Sequence, residues 1–172
     1  LFMLEDEDYQ EDISNSESDI PFLKGTVITV TGSNNNRLIH ITGHMAKDAV
    51  VTVMDVSEHV NCVVCQHLME NQGNGRIFVN LKLIGSYAGK LLVQISTIGD
   101  LAEHEDREIV ILTCRAGKIW AIRATIVNGF ITFYTDELGP FLVLGDPAQL
   151  VLTEDGTQIL LDQKAYSFGG WL

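Results

Sequence analysis

The chain of 172 residues is short of cysteine, of proline and of basic side chains. It has three cysteines and three prolines, and its 11 lysines and arginines face 23 acids, which gives a formal net charge of −12. An odd and sparse set of cysteines argues against a disulfide-stapled scaffold. Without a basic stripe, this acidic chain is not expected to bind nucleic acid or an anionic membrane. It also lacks a run of about 20 apolar residues, so we expect no membrane insertion within it.

The acidity is concentrated at the N-terminus. Eight acids and no base occur among the first 23 residues, mixed with serine, asparagine and glutamine. Such a segment cannot bury enough apolar surface to order itself. Residues 1–24 are therefore predicted to form a disordered acidic arm, whose role the sequence leaves open.

What the chain has in abundance is the pattern of β-hairpins. In residues 117–144, three short apolar runs are separated by turns, and Asn128-Gly129 is the strongest hairpin signal among them. Residues 76–83 and 90–96 alternate apolar and polar side chains, which is typical of strands with one buried face. The pattern extends to Val60–Met69, also predicted as a strand, and to residues 165–172, predicted as a last edge strand or a packed tail. No convincing helix is predicted.

The predicted strands fall into two groups on either side of a charged segment at residues 100–106, which we interpret as a linker. Many short strands with frequent turn signals suit a β-sandwich. We therefore expect an all-β chain of two tandem immunoglobulin-like β-sandwich modules, at residues 25–99 and 107–172, that follow the acidic arm.

One window holds most of the residues that could bind a metal or act as nucleophiles: His40, His44, His59, Cys62, Cys65 and His67. Zinc needs four nitrogen or sulfur ligands that converge. Cys62 and Cys65 lie in a predicted strand, where residues three apart point to opposite faces. Two core thiols and scattered surface imidazoles are therefore the favoured interpretation. A redox role for this pair would need a helix N-terminus to lower a thiol pKa, and none is predicted.

Aromatic side chains are the remaining candidates for a binding site: Trp120, Tyr134, Tyr87 and Trp171. If exposed, they would form platforms on which a sugar ring could stack. Trp120, however, alternates with Ile122 and Ala124, so a core position is favoured for it. The sequence has no Gly-x-Ser-x-Gly elbow and no glycine-rich phosphate loop that opens a helix, so no catalytic residue is predicted.

Two stretches resemble modules of Gram-positive cell-surface and secreted proteins. The first contains VITVTGSNNNRLIHITG, AVVTVMDV, GNGRIFVNLKL and SYAGKLLVQI, and is similar to their immunoglobulin-like repeats. The second is GKIWAIRATIVNGFITFYTDELGPFLVL, which is similar to an element that ends many such surface domains. Glu137-Leu138-Gly139 stands where that element has His-Phe-Ser, so no role of those residues is carried over. The resemblance implies β-sandwiches and an extracellular location.

These observations predict a non-catalytic extracellular module of a bacterial surface or secreted protein, with a structural, adhesion or ligand-display role. Its partner would be a protein or a glycan at the cell surface. The loops at residues 32–36, 85–89 and 136–140 are the expected contact points, because loops on a rigid scaffold carry binding function. No cofactor and no metal are expected. Two alternatives remain: a carbohydrate-binding module that uses the four aromatic residues, and a metal-dependent enzyme that uses the window at residues 40–67.

Overall fold

The computed structural model describes residues 27–34, 36–54, 62–70, 76–99, 101 and 104–172. The arm predicted at residues 1–24, His59 and part of the predicted linker lie outside these residues. None of the described residues forms a helix with both the length and the apolar character that crossing a membrane requires.

The described part of the chain is almost entirely β-structure, as the sequence predicts. In chain order its elements are β1 (Ile28–Asn34), β2 (Arg37–Met45), β3 (Val50–Val53), α1 (Val63–Glu70), β4 (Ile77–Ile84), β5 (Tyr87–Ser96), β6 (Glu108–Arg115), β7 (Lys118–Val127), β8 (Phe130–Thr135), β9 (Pro140–Gly145), β10 (Val151–Leu152), β11 (Gln158–Leu161) and β12 (Lys164–Trp171). A short 3-10 helix at Pro147–Gln149 precedes β10.

The strands form one large, barrel-like sheet. Its order is β1-β2-β5-β8-β7-β6-β9-β4-β3, and the two ends of this path approach each other. A Cβ atom added at Gly32 on β1 would lie only 2.7 Å from Cγ1 of Val51 on β3. Glycine at this position therefore permits a close approach of the two end strands.

The pairing of the strands crosses the predicted boundary at residues 100–106. β5 pairs antiparallel with β8, from Leu91–Thr135 to Ser96–Phe130. β4 pairs antiparallel with β9. The prediction of an all-β chain is confirmed, whereas two tandem sandwiches are not, because period-two patterning shows which face of a strand is buried but not which strand is its neighbour.

An inner core fills the space enclosed by the sheet. It is built from the inward-facing residues of eight strands, and most of its members are aliphatic: Ile39, Ile41, Val51, Val79, Leu81, Leu91, Val93, Ile95, Ile109, Ile111, Ile122, Ala124, Ile126, Ile131, Phe133, Phe141 and Val143. Each large side chain that is fully buried stabilises the fold by roughly 1.5–3 kcal/mol relative to leaving it in water.

An outer core covers the opposite face of β6, β7 and β9. Alternate residues of these three strands meet side chains of α1, β11 and β12, and the buried members are Cys62, Val64, Cys65, Val110, Leu112, Ile119, Ala121, Leu142, Leu144, Ile159 and Leu161. Because β6 and β9 are covered on both faces, nearly every residue of these strands is buried. This explains why their sequences are continuous apolar runs rather than alternating ones.

The predicted strand over Val60–Met69 is wrong for residues 63–69, which lie in α1. The carbonyl of Cys62 accepts the first helical hydrogen bond, from the amide of Gln66 (2.9 Å). Val64 and Cys65 are fully buried in the outer core, whereas Gln66 is exposed. The β-branched valines favour a strand locally, but burial of one helical face against β6 and β9 outweighs that preference.

The hairpin turns follow the predicted signals. Asn128 and Gly129 join β7 to β8 with φ values of 51° and 79°, and Ala116 and Gly117 join β6 to β7 with 52° and 77°. Two consecutive left-handed residues define the turn type whose twist matches the flanking strands. The carboxylate of Glu105 also accepts hydrogen bonds from the amides of Asn128 (2.6 Å) and Gly129 (3.2 Å).

The C-terminal segment is a strand, but it has neighbours on both sides. β12 pairs antiparallel with β11 and parallel with β7, where Gly170 lies opposite Trp120 and Trp171 opposite Ala121. The indole of Trp120 occupies the space that a Cβ atom at Gly169 would need. Glycine is required at Gly169 for this reason, and the predicted edge position of the segment is corrected to an interior one.

Candidate ligand-binding groove

A groove opens on the outer face of the sheet where β7 and β8 separate. The two strands pair only from Val127–Phe130 to Thr125–Thr132. Beyond that point β7 has β12 beside it instead, and the amide of Leu172 donates to the carbonyl of Ala121 (2.8 Å). The space between the end of β12 and the fork of β7 and β8 has a volume of about 310 Å³.

The wall of the groove combines an aromatic ring from one strand with charged side chains from three others. Tyr134 on β8 is 62% exposed. Lys90 on β5, Glu108 on β6 and Arg123 on β7 supply the charges, and Leu172 closes one end. An apolar surface with a few convergent polar groups is the usual composition of a small-molecule site.

Arg123 is held in place from two sides. Its guanidinium donates to the carboxylate of Glu108 (3.0 Å), and it lies over the ring of Trp171, 4.2 Å from the centroid. Both Arg123 and Glu108 are substantially exposed, so this ion pair contributes little to stability. The ion pair and the ring of Trp171 together set the direction of the guanidinium beside the groove.

Backbone groups also face the groove. The carbonyl of Ala121 points toward β12, and because backbone groups alternate along a strand, those of Arg123 point to the same side. The Thr125–Thr132 register places Tyr134 across from Arg123. The β7–β8 pairing has already ended there, so β8 does not pair with these main-chain groups.

The structure separates the four aromatic candidates. Tyr134 lines the groove, and Trp171, which is 39% exposed, lies next to the groove against the guanidinium of Arg123. Trp120 is on the inner face of β7, where its indole N–H donates to the carbonyl of Arg115 (3.2 Å). Trp120 is half-buried and is a member of neither core, so the core position favoured from the sequence is not confirmed.

Tyr87 belongs to a different part of the surface. Its hydroxyl donates to the carbonyl of Asp136 (2.9 Å), which brings the loops at residues 85–89 and 136–140 together. Burial, with the nearby charges of Glu137 and Asp136, raises the pKa of Tyr87. The hydrogen bond from Arg115 lowers the pKa of Asp136. These contacts order the two loops and leave Tyr87 out of the groove.

The histidine and cysteine window does not form a metal centre in the described part of the chain, where no three His, Cys, Asp or Glu side chains are grouped suitably. His40 lies on β2, 3.0 Å from the hydroxyl of Thr31. His44 is on the same strand, and His67 is on α1.

His67 anchors α1 to the hairpin of β11 and β12. Its Nε2 lies 2.7 Å from Oδ2 of Asp162, and its Nδ1 lies 3.1 Å from the hydroxyl of Tyr166. Arg76 donates to the same carboxylate at 2.9 and 3.3 Å. Partial burial raises the pKa of Asp162, but the hydrogen bonds from Arg76 and His67 outweigh it and leave that pKa below its ordinary value. The buried histidine thus has a structural role.

The sequence pattern does not single out four residues that line the groove: Lys90, Glu108, Arg123 and Leu172. Each is polar or terminal in a predicted strand, which is the ordinary pattern of a solvated face. Tyr134 is the residue through which the sequence points to this groove. It alternates with the buried Phe133 and therefore lies on the same face of β8 as Thr132. The side chains of these residues come together because β5, β8, β7 and β6 are neighbours in the sheet, and the order of strands cannot be read from the pattern of any one strand.

A second, larger cavity of about 420 Å³ has Arg76, His104, Asp146 and Gln149 at its wall and Ile77 and Val143 among its apolar residues. No aromatic ring of Phe, Tyr or Trp lines it. It therefore offers no surface for stacking, and the groove beside Tyr134 is the better match to the predicted aromatic platform.

Comparison with known proteins finds no family model, no curated protein and no solved structure that matches this chain.

Proposed function

We propose that this chain is a non-catalytic carbohydrate-binding module of a bacterial surface or secreted protein, and that the groove between β7 and β8 takes the sugar. One observation carries the proposal. The groove places the exposed ring of Tyr134 opposite fixed charged side chains on a rigid sheet. The surface location is supported by the resemblance to Gram-positive modules.

A sugar can interact with both the aromatic part and the charged part of the groove wall. A pyranose ring has an apolar C–H face, which stacks on an aromatic ring such as that of Tyr134. Its hydroxyl groups donate to Glu108 and accept from Lys90 or Arg123. Because Glu108 and Trp171 already hold Arg123 in position, little side-chain entropy is lost on binding.

The size of the groove indicates a short stretch of glycan. Its volume of about 310 Å³ is at the lower end of the range for ligand sites, roughly 300–1,000 Å³. The groove is open to solvent along one side, so a longer oligosaccharide could extend beyond it. This is the geometry of adhesion to a polymer rather than of capture of a free metabolite.

The test is binding to a glycan array, with three variants. Tyr134→Ala removes the stacking surface, and we expect the affinity for the selected glycan to fall about tenfold, which corresponds to about 1.4 kcal/mol. Tyr134→Phe keeps the ring and should bind nearly as well as the wild type. Leu160→Ala is the matched control, because Leu160 is an exposed apolar residue of β11 away from the groove.

Two results would contradict the proposal. One is that no glycan binds the folded wild-type protein. The other is that Tyr134→Ala binds as tightly as Leu160→Ala, because the aromatic platform would then carry no binding energy.

A further inference from the structure

The three cysteines of the chain meet at the first turn of α1. Cys62 immediately precedes the helix, Cys65 is its third residue, and Cys114 is near the end of β6. All three thiols are free. Cys62 is 8% exposed and Cys65 is fully buried, whereas Cys114 is partly exposed.

The thiol of Cys62 is the centre of this cluster. It is hydrogen-bonded to the thiols of both Cys65 and Cys114. The sulfur of Cys114 also accepts from the amides of Val63 and Val64, which are first-turn amides without a partner inside the helix. The helix N-terminus therefore contacts the sulfur of Cys114, while the thiols of Cys65 and Cys114 flank the sulfur of Cys62.

The spacing of Cys62 and Cys65 matches the geometry of a disulfide. The hydrogen bond from Gln66 to the carbonyl of Cys62 shows that Cys62 is in the first turn. Residues three apart in a helix have Cα atoms about 5 Å apart, within the usual range of about 4.4–6.8 Å for a disulfide. Had the segment been a strand, the same two side chains would have pointed to opposite faces.

We propose that Cys62 and Cys65 are a dithiol that hydrogen peroxide oxidises to a disulfide. In the first step the thiolate of one of the two cysteines attacks a peroxide oxygen, the O–O bond breaks, and the sulfur becomes a sulfenic acid while hydroxide leaves and takes up a proton as water. In the second step the sulfur of the other cysteine attacks the sulfenic sulfur. The S–O bond breaks, the thiol proton of this second cysteine goes to the departing oxygen, and a second water is released.

The electrostatics of the cluster couple the two thiols. The hydrogen bond from Cys62 lowers the pKa of Cys65, although burial and the proximity of Cys114 act against it. In Cys62 the hydrogen bond with Cys114 lowers the pKa, but the contact with Cys65 and burial raise it, and the net shift is upward. The thiolate is the reactive form, and a proton lost by one member of the pair is shared with the other through their hydrogen bond.

The burial of Cys65 limits which oxidants can reach the thiol pair. A bulky disulfide such as oxidised glutathione must bring its own sulfur into line with the attacking thiolate. Cys65 is fully buried, so local opening of the first turn gives access to a small neutral oxidant far more readily than to a tripeptide disulfide. Hydrogen peroxide is the smallest such oxidant.

The experiment treats the folded, full-length protein with hydrogen peroxide and, separately, with oxidised glutathione. We expect peroxide to produce a species that has lost two hydrogens, with peptide mapping placing the bond between Cys62 and Cys65. Dithiothreitol should reverse it, and oxidised glutathione should react at least tenfold more slowly. Cys114→Ser should still form the bond, whereas Cys65→Ser should not.

Three outcomes would overturn the proposal: a bond between Cys62 and Cys114, oxidation that appears only in denaturant, or faster reaction with oxidised glutathione than with peroxide. The mapping on the wild-type protein decides the pairing by itself, so the conclusion does not depend on whether Cys65→Ser folds.

Discussion

The two faces of the sheet at β6, β7 and β9 have different surroundings. The inner face contributes aliphatic side chains to a core that eight strands share. The outer face meets one short helix and the small sheet of β10, β11 and β12. The thiol cluster, the contacts of His67 and the groove all lie on this outer side. The sheet thus surrounds an aliphatic interior, and the candidate groove and the thiol cluster both lie in its less regular outer covering.

Strand β7 shows the contrast within a few residues. Ile122 and Ala124 are buried in the inner core, while Arg123 between them lines the groove. The two tryptophans repeat the pattern, because Trp120 is on the inner face and Trp171 is paired with the outward-facing Ala121. Substitutions on the two sides should therefore differ in kind as well as in size.

The largest effect is expected from the inner core. Phe141 is fully buried and its ring is 5.1 Å from that of Phe133. Phe141→Ala should lower the free energy of unfolding by about 3–5 kcal/mol, because the cavity cannot close among strands fixed by their pairing. Denaturant unfolding followed by circular dichroism measures this. A loss similar to that of the exposed control Leu160→Ala would show that the inner core is not the main source of stability.

A smaller effect is expected where β12 joins the sheet. A Cβ atom at Gly169 would overlap the indole of Trp120, so Gly169→Ala should cost about 1–3 kcal/mol through strain and should shift the fluorescence of Trp120. Gly139→Ala is the control, because the space around Gly139 is open and its backbone is not left-handed. Equal stability of the two variants would contradict the close packing of Trp120 on β12.

The smallest effect is expected from the contact between α1 and the β11–β12 hairpin. Asp162→Asn keeps a residue that tolerates the φ of 48° but removes the charge, and should cost about 1–2 kcal/mol at neutral pH. The pKa of Asp162 is lowered on folding. Its contribution is therefore full above the unfolded value of about 4 and is lost as the pH falls through the folded value. The stability of wild type and variant, measured by thermal unfolding, should converge in acid, and a constant difference would contradict this assignment.

Much of the strand pattern was predictable from the sequence, for identifiable reasons. Asn128-Gly129 forces a tight turn, and the alternation in residues 90–96 marks a strand with one buried face. These are local properties of the sequence, and they do not depend on which strands are neighbours in the sheet. Tyr134 lies on a strand of the same alternating kind, where its ring is exposed and that of its neighbour Phe133 is buried.

The remaining features depend on contacts between distant residues. α1 has only eight residues and begins with two valines, so its stability comes from the outer core rather than from its own sequence. The parallel pairing of β12 with β7 joins residues about fifty positions apart, which no local pattern reports. The groove and the thiol cluster both depend on these non-local contacts.

The measurement that tests the binding site most directly is the response of the two indole N–H signals in a ¹⁵N-correlation spectrum, during titration with the oligosaccharide that the array selects. Trp171 stacks beneath Arg123 at the groove, whereas Trp120 is bonded to Arg115 on the other face of β7. The account predicts that the Trp171 signal shifts progressively while the Trp120 signal stays in place. A shift of Trp120 alone, or saturable binding that moves neither signal, would contradict it.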